Sequence, residues 1–367
     1  MPTPTTSLGD DADGRVRAAV AVQEQCGLDL ISDGGQRHRD PVAAITDGLT
    51  GFRRRRKRPM ATALPAWTGP ILVDGWRFAA GCTDRAVKQA LIGPYTLGRA
   101  VAAGDFGRER ITLAVAEALN AELHALVDAG CSIVEIVEDG VTAIDDSPAE
   151  RGLFADAQRR LLAGLGDEVH RTLAIRGGNA EAAGVETIVE RPYQSFLFDL
   201  CAGPDNWRVA VKVPGDRGVI VGAADAQAAR LDELELLVFA IGYAASTMGR
   251  GHQRVGLATS SDMAASIPWE NALAKIRRMG ETAAYYEAPA GTLAEAMDPR
   301  AIDIRSAAHG RYAPAPYDPA SPARFREDGQ RRRRTTGEGG EAAESRAENE
   351  PPDIPPDVPP DTPPHLL

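Results

Sequence analysis

The stretch Gly130-Cys131-Ser132-Ile133-Val134-Glu135-Ile136 follows a segment, residues 110–129, in which apolar side chains recur three or four positions apart. That spacing predicts an amphipathic helix, and the short apolar run from Ile133 to Ile136 predicts a buried strand. A helix that passes through a glycine turn into a buried strand is the repeating unit of proteins with parallel sheets. The stretch therefore predicts an α/β fold.

The same unit recurs on both sides of this stretch. Further helical periods cover residues 16–25, 155–168, 231–247 and 270–286. Further short apolar runs cover residues 28–32, 90–92, 172–175, 195–200, 219–221 and 255–258. Seven such runs fit a (β/α)8 TIM-type barrel better than a small doubly wound sheet, with an eighth strand weak or missing. We therefore expect the chemistry at the carboxyl ends of the strands.

Composition restricts the class of protein and its partners. At 367 residues the chain is long enough for one large barrel. Its net charge of −11 disfavours nucleic acid, which is bound mainly through clustered Lys and Arg. The sequence has neither a transmembrane-length apolar run nor a signal peptide, so we expect a cytoplasmic protein without membrane contact. Its four cysteines include no Cys-x-x-Cys pair, which indicates neither a disulfide framework nor a zinc knuckle.

Two segments depart from the average composition. We expect residues 1–312 to form the barrel, and residues 313–367, rich in Arg, Glu and Pro, to form a disordered tail that ends in repeated Pro-Pro-Asp units. Such a tail is suited to contacting a protein partner. Residues 53–58 are all basic and predict a solvated loop between a helix and the next strand, with contact to an anion as the alternative.

Polar residues follow several of the predicted strands. Glu138, Asp139 and Asp199 are the candidate catalytic residues, as acid, base or anchor for an ammonium group. The candidate substrate-binding residues are Asp33, Arg37, Thr96, Arg176, Asn179 and Ser260. Arginine is expected to bind a carboxylate or phosphate, because its planar fork matches either group. For each residue, a role in a turn or helix cap is the alternative.

A set of sequence blocks occurs in an order and spacing that one family shares. The blocks include Gln23-Glu24-Gln25-Cys26-Gly27-Leu28-Asp29, Asp33-Gly34-Gly35, Leu49-Thr50-Gly51-Phe52, Ala90-Leu91-Ile92-Gly93-Pro94-Tyr95-Thr96, Gly222-Ala223-Ala224-Asp225 and Arg254-Val255-Gly256-Leu257. Through them the chain resembles the catalytic C-terminal barrel of cobalamin-independent methionine synthase, within the superfamily that includes uroporphyrinogen decarboxylase. The resemblance implies a (β/α)8 barrel whose active members bind a thiol or another small anion in the mouth of the barrel.

The resemblance also implies a zinc ion, bound by a His-x-Cys pair, a Glu and a second Cys. These ligand positions fall here on Leu173, Ile175, Phe198 or Asp199, and Val255. At most one ligand is kept, so we expect no metal site and the loss of zinc. His170 and Cys201 lie nearby in sequence, but His170 precedes its strand and is expected at the opposite end of the barrel.

Three functions are compatible with these features. The leading hypothesis is a methyltransferase-like enzyme, repurposed for specialised metabolism, that acts on a small anionic or amino-acid-like substrate without zinc. The first alternative is methyl transfer from a folate to a thiol or another nucleophile. No other cofactor is indicated. The second alternative is a non-catalytic partner of a transferase, tethered through the tail.

Overall fold

The computed structural model describes residues 12–38, 40–54 and 58–287, so the predicted tail at 313–367 lies outside the described residues. The helices of the described part are α1 (Ala12–Gln25), α2 (Pro41–Gly48), α3 (Val73–Ala80), α4 (Pro94–Ala100), α5 (Arg108–Asp128), α6 (Pro148–Leu161), α7 (Val185–Val189), α8 (Trp207–Ala210), α9 (Leu234–Ser246) and α10 (Trp269–Glu287). The strands of the same part are β1 (Leu30–Ile31), β2 (Thr50–Arg53), β3 (Met60–Ala66), β4 (Ala86–Val87), β5 (Gln89–Ile92), β6 (Ile133–Val137), β7 (His170–Ile175), β8 (Ser195–Asp199), β9 (Gly218–Ala224) and β10 (Val255–Thr259). Within these ranges no helix has both the length and the apolar character needed to cross a membrane.

Parallel strands form the framework of the molecule. Strands β5 to β10 pair side by side in chain order. Strand β1 pairs in parallel with β4, which only Lys88 separates from β5, and the Lys88 N–H donates to the Ile31 carbonyl at 2.9 Å. These strands coincide with the seven apolar runs of the sequence, which confirms the predicted α/β fold and its (β/α)8 TIM-type architecture. An eighth barrel strand is not among the described residues.

Successive side chains of these strands point to opposite faces of the sheet. Leu173 and Ile175 of β7 belong to the large core, which also contains Leu119 of α5 and Phe154 of α6. The opposite face carries a separate small cluster made of Val137, Ala174 and Leu197, against which Ile220 and Ala258 pack. The large core therefore lies between sheet and helices, and the small cluster lines the interior of the barrel.

The helix after β6 begins earlier than its apolar period predicted. The sequence predicted residues 155–168, whereas α6 spans Pro148–Leu161. Ser147 caps this helix by accepting a hydrogen bond from the Glu150 N–H at 3.4 Å, and proline is well suited to the first helical position. Beyond the helix, Gly164 has a φ of +76°, a conformation that ends helices. The predicted bounds were wrong because the capping signal precedes the apolar period.

The basic run at 53–58 joins two antiparallel strands, which corrects its predicted place between a helix and the next barrel strand. Strand β2 follows α2 almost at once and pairs with β3, so that Arg53 lies opposite Met60. At the other end of the run, the Arg58 guanidinium donates to the carbonyls of Arg99 and Ala100 at the end of α4. Pairing of β2 with β3 therefore holds Arg53 at one end of the basic run, and α4 holds Arg58 at the other.

The last described helix packs against the first. Gly280 of α10 approaches the end of α1 so closely that a Cβ there would lie 1.7 Å from the Cys26 carbonyl oxygen. The Tyr286 hydroxyl of α10 also donates to the Val238 carbonyl of α9. Helix α10 thus contacts helices from both ends of the described chain.

A buried carboxylate ties α5 to the segment ahead of α3. Glu122 is completely buried, and its Oε2 accepts a hydrogen bond from Trp67 Nε1 at 2.7 Å. The same carboxylate accepts from the N–H groups of Ile71 and Leu72, at 2.7 to 3.0 Å. Three donors, of which the Leu72 N–H belongs to a buried residue, therefore depend on one side chain.

We expect Glu122→Ala to lower the free energy of unfolding by about 3 kcal/mol or more, because the three donors lose their acceptor. Urea titration followed by circular dichroism measures this change. Glu117→Ala on the same helix is the control, since Glu117 pairs with Arg160 at the surface and its loss should cost about 0.5 kcal/mol at most. Equal losses in both variants would contradict the assigned role of Glu122.

Candidate functional site

Arg176 bridges loops at the carboxyl ends of the parallel strands. It follows β7 directly, and its N–H and Nε donate to Asp139 Oδ1 at 3.1 and 3.2 Å, while Nη2 donates to Oδ2 at 3.1 Å. On the other side, Nη1 donates to Asp262 Oδ1 at 2.9 Å. Asp139 follows β6 and Asp262 follows β10, so the guanidinium spans the side of the barrel mouth formed by β8 and β9.

The two carboxylates keep Arg176 charged. Burial alone would disfavour the guanidinium cation, but Asp139 and Asp262 raise the pKa of Arg176 above its ordinary value. Only 16% of the Arg176 side chain is exposed, whereas 82% of the Asp262 side chain is. A solvent-exposed ion pair contributes little stability. Asp262 is therefore the partner that an incoming anionic group can most easily replace.

Asp199 lies at the end of β8, and both oxygens of its carboxylate accept hydrogen bonds from backbone N–H groups. Oδ2 accepts from the Gly177 N–H at 2.9 Å, and Oδ1 accepts from the N–H groups of Cys201 and Ala202, both at 2.9 Å. The side chain is almost completely buried. Asp199 therefore holds the loop after β7 against the loop after β8, with both oxygens engaged.

Two asparagines strengthen the same connection. The predicted binding residue Asn179 donates to Asp205 Oδ2 at 3.1 Å and accepts from the Asp205 N–H at 2.9 Å. Asn206, which the sequence did not single out, is fully buried and donates to the carbonyls of Gly178 and Asp199 at 2.9 and 2.7 Å. Both amides thus position the loops around Arg176.

Glu138 lies beneath the first turn of α4 and has no exposed surface. Its carboxylate accepts from the N–H groups of Tyr95 and Thr96 at 3.1 and 2.7 Å, and from the Thr96 hydroxyl and Gln158 Nε2, both at 2.6 Å. The Thr96 hydroxyl in turn accepts from the Gly140 N–H at 3.0 Å. Glu138 and Thr96, predicted as separate site residues, form one buried network that ties α4 to α6.

A thiol that the sequence left unassigned lies beside Ser260. Cys201 is an exposed residue, but partial desolvation of its sulfur, followed by the charges of Asp225 and Asp199, raises the pKa of the thiol to about 12. Ser260 is buried and lowers this pKa by hydrogen bonding to the sulfur, while its hydroxyl accepts from the Ala226 N–H at 3.1 Å. The thiol therefore stays protonated at neutral pH.

A buried lysine, also missed in the sequence, holds the loop after β9. The Lys275 side chain of α10 has no exposed surface, and its Nζ donates to Asp232 Oδ2 at 2.9 Å. Asp232 Oδ1 accepts from the Asp225 N–H at 3.0 Å. The signal was faint, because a single lysine within a helical period resembles any exposed helix residue.

The two predicted residues after β1 do not join this group. Asp33 accepts from the Gly35 N–H at 2.8 Å and shapes its own turn. The Arg37 guanidinium forms an ion pair with Asp13 of α1 and lies 4.9 Å from the ring centroid of Phe78 in α3. Arg37 therefore faces the helix layer, which corrects its predicted position at the mouth of the barrel.

The residues present do not fit the zinc site that the family resemblance implies. Leu173 and Ile175 are fully buried and face the helices, so the metal pair cannot be placed at their side chains. The residue between them, Ala174, faces the interior and has no ligand atom. Across residues 12–38, 40–54 and 58–287, no three His, Cys, Asp or Glu side chains are grouped so as to hold a metal ion.

The parallel strands and the polar groups at their carboxyl ends define a protein of the (β/α)8 barrel class. Sequence comparison then identifies its relatives. The profile of the cobalamin-independent synthase catalytic domain matches residues 6–152. A 5-methyltetrahydropteroyltriglutamate–homocysteine methyltransferase of Corynebacterium glutamicum (strain R) is 26% identical over 240 residues, which cover 54% of this chain and 32% of that protein. The chain therefore spans about a third of this curated relative.

Solved structures share the fold of this chain. One is the B12-independent methionine synthase from Shewanella sp. W3-18-1, in complex with selenomethionine, with a TM-score of 0.67 at 18% sequence identity. The alignment covers 78% of this chain and 94% of the Shewanella chain. A Listeria monocytogenes protein assigned as a vitamin B12-independent methionine synthase has a TM-score of 0.64 at 16% identity, covering 77% and 90%. Over residues 6–152 the sequence is thus similar to the catalytic domain of the cobalamin-independent methionine synthases, as its sequence blocks predicted, and the solved structures share its fold. The profile match ends within α6, ahead of β7.

Glu138 makes stability fall with rising pH. Burial raises its pKa from 4.5 to about 7, although its four hydrogen bonds favour the carboxylate. The unfolded chain therefore releases this proton at a lower pH than the folded chain. Stabilisation by the protonated group is complete below pH 4.5 and is lost as the pH rises through 7, by on the order of 3 kcal/mol.

Urea titrations of wild type and Glu138→Gln between pH 4.5 and 8 measure this contribution. We expect the wild-type free energy of unfolding to decline across the window relative to that of the variant, because glutamine does not titrate. A constant difference between the two proteins over the whole range would contradict the raised pKa.

Proposed function

We propose that this chain is an enzyme of the methionine synthase type that binds an amino-acid-like substrate at the barrel mouth and acts without zinc. The observation that carries the proposal is the position of Arg176 between Asp139 and Asp262. The substrate carboxylate would replace Asp262 on the guanidinium, and the substrate ammonium would lie beside the displaced carboxylate and Asp139. Selenomethionine, bound in the Shewanella relative, is a ligand of this class.

The charge around Arg176 supports an ammonium group on the substrate. Asp139 and Asp262 both keep exposed surface around one arginine, with 39% and 82% of their side chains accessible. A mouth with more carboxylates than cations attracts a zwitterion and repels a ligand that carries only negative charge. Of the two substrate classes predicted from sequence, the amino-acid-like class is therefore preferred over the purely anionic one.

The same charge supports a reaction that does not use a thiolate. Burial and the carboxylates of Asp225 and Asp199 raise the pKa of the Cys201 thiol, and they would act likewise on a substrate thiol placed beside it. Zinc activates a thiol by holding it as the thiolate, but the positions that the resemblance gives to the His-x-Cys pair and to the second Cys carry Leu173, Ile175 and Val255. An enzyme repurposed for specialised metabolism, in which the nucleophile is not a thiolate, is consistent with both the raised thiol pKa and the apolar residues at the zinc-ligand positions.

The second candidate is methyl transfer from a reduced folate, and the activity of the Corynebacterium relative, a 5-methyltetrahydropteroyltriglutamate–homocysteine methyltransferase, favours it. The third, a non-catalytic partner of a transferase, is favoured by a different observation. Glu138, Asp199 and Asn179 have their polar atoms engaged within the chain. Titration calorimetry with methyltetrahydrofolate and with amino acids separates these candidates, since the third predicts no binding of either.

Arg176→Lys tests the proposed anchor. We expect it to weaken the binding of L-homocysteine or L-methionine by about tenfold, because lysine cannot form the two parallel bonds of the guanidinium. Asp262→Asn should leave binding unchanged or tighten it, since it frees the guanidinium. Arg160→Lys on the surface of α6 is the matched control. Titration calorimetry measures all four proteins, and unchanged affinity in Arg176→Lys would overturn the assignment.

Metal analysis tests the zinc-free reaction. We expect the purified protein to contain well under one zinc per chain, and treatment with a chelator to change neither its melting temperature nor its ligand binding. Mass spectrometry of the metal content and a thermal melt give both readouts. One zinc per chain, removed by the chelator with loss of binding, would restore thiol activation by metal.

A further inference from the structure

Helix α9 is apolar on the side that faces away from the barrel as well as on the side that packs on it. Its inner side includes Leu237, Val238 and Ile241. On the outer side, the rings of Phe239 and Tyr243 stack one helical turn apart, with centroids 6.1 Å apart, and 42% of Tyr243 is exposed. Such a helix is normally covered on both sides.

Neighbouring residues extend this apolar surface. The Trp207 ring packs edge-on against Tyr243 at 5.0 Å, and Met248, just after α9, is the most exposed large apolar residue of the described part, at 61%. We refer to Trp207, Phe239, Tyr243 and Met248 as the aromatic patch. Two exposed cations, Arg208 and Lys212, follow Trp207 in the sequence.

The chain itself contains a segment of complementary chemistry. Residues 351–364 read Pro-Pro-Asp-Ile-Pro-Pro-Asp-Val-Pro-Pro-Asp-Thr-Pro-Pro, so a Pro-x-x-Pro motif recurs every four residues. Proline-rich sequences of this kind favour the polyproline II conformation and dock on grooves lined by aromatic rings. The Asp of each repeat supplies a negative charge to match Lys212 and to compete with Glu181 and Asp205 for Arg208.

The path of the chain brings this segment within reach. Helix α10 ends at Glu287, and the Tyr286 hydroxyl donates to the carbonyl of Val238, the residue before Phe239. The described chain therefore ends beside α9, the helix that carries Phe239 and Tyr243. Residues 288–350 separate α10 from the repeats, and a tether of this length gives the repeats a local concentration on the order of millimolar.

We propose that the Pro-Pro-Asp repeats of residues 351–364 bind the aromatic patch of their own chain. The prolines pack against Trp207 and Tyr243, and the Asp side chains face Arg208 and Lys212. The tail then folds back as a cover for α9, and the tether that links the repeats to α10 makes the contact intramolecular.

The test compares three full-length chains. In the repeat variant, Pro352→Ser, Pro356→Ser and Pro360→Ser break every Pro-x-x-Pro motif that begins at the second proline of a pair. The control carries Pro314→Ser, Pro316→Ser and Pro319→Ser, which leave the repeats intact. A synthetic peptide of residues 350–364 should bind the repeat variant about tenfold more tightly than wild type or the control, because its own tail no longer competes.

Substitutions in the patch complete the test. In the repeat variant, Tyr243→Ser should weaken peptide binding by about tenfold, whereas Leu64→Ser, at another exposed apolar residue, should leave it unchanged. Equal peptide binding by wild type and the repeat variant would overturn the proposal. Sedimentation velocity of wild type should give a monomer at every concentration. A dimer that disappears in the repeat variant would place the repeats on a second copy and overturn the intramolecular contact.

Discussion

Alternation of side chains along parallel strands governs what the barrel mouth contains. On β7, Leu173 and Ile175 face the helices, so Ala174 and Arg176 are left to the interior and the mouth. A shift of one residue would exchange the two sets and bury the guanidinium among the apolar side chains of the core, at a prohibitive cost. The register that packs α5 and α6 against the sheet thus also delivers Arg176 to the mouth.

Most of the other polar residues at the mouth are engaged in holding loops together. Asp199 accepts three backbone hydrogen bonds, and Glu138 accepts four bonds from α4 and α6. Loops around a barrel mouth expose many backbone N–H groups, which buried carboxylates can satisfy strongly. Such residues act on a ligand only through the loops that they position. Direct contact is open to side chains that keep free surface, which here are Asp139, Asp262, Cys201 and the 16% of Arg176 that is exposed.

The sequence predicted the strands better than the roles of the residues that follow them. Periodicity located seven barrel strands, because burial on both faces leaves continuous apolar runs. Periodicity did not locate the antiparallel strands β2 and β3, because most of their residues are exposed or only partly buried and a basic run connects them. Position after a strand indicated Glu138 and Arg37 equally, but only tertiary packing turned one under α4 and the other toward Phe78. Lys275 was unpredictable for the same reason, since its partner Asp232 is distant in sequence.

The close approach of Gly280 to the Cys26 carbonyl has a consequence for how the chain folds. It joins the first and last described helices, so the ring of helices is completed only by a contact between the two ends of the described chain. Contacts of such long sequence separation slow folding, because the entropy of closing the loop opposes them until the intervening chain is ordered. On the ribosome, α1 must therefore wait for almost the entire barrel to be synthesised before it acquires its final neighbour.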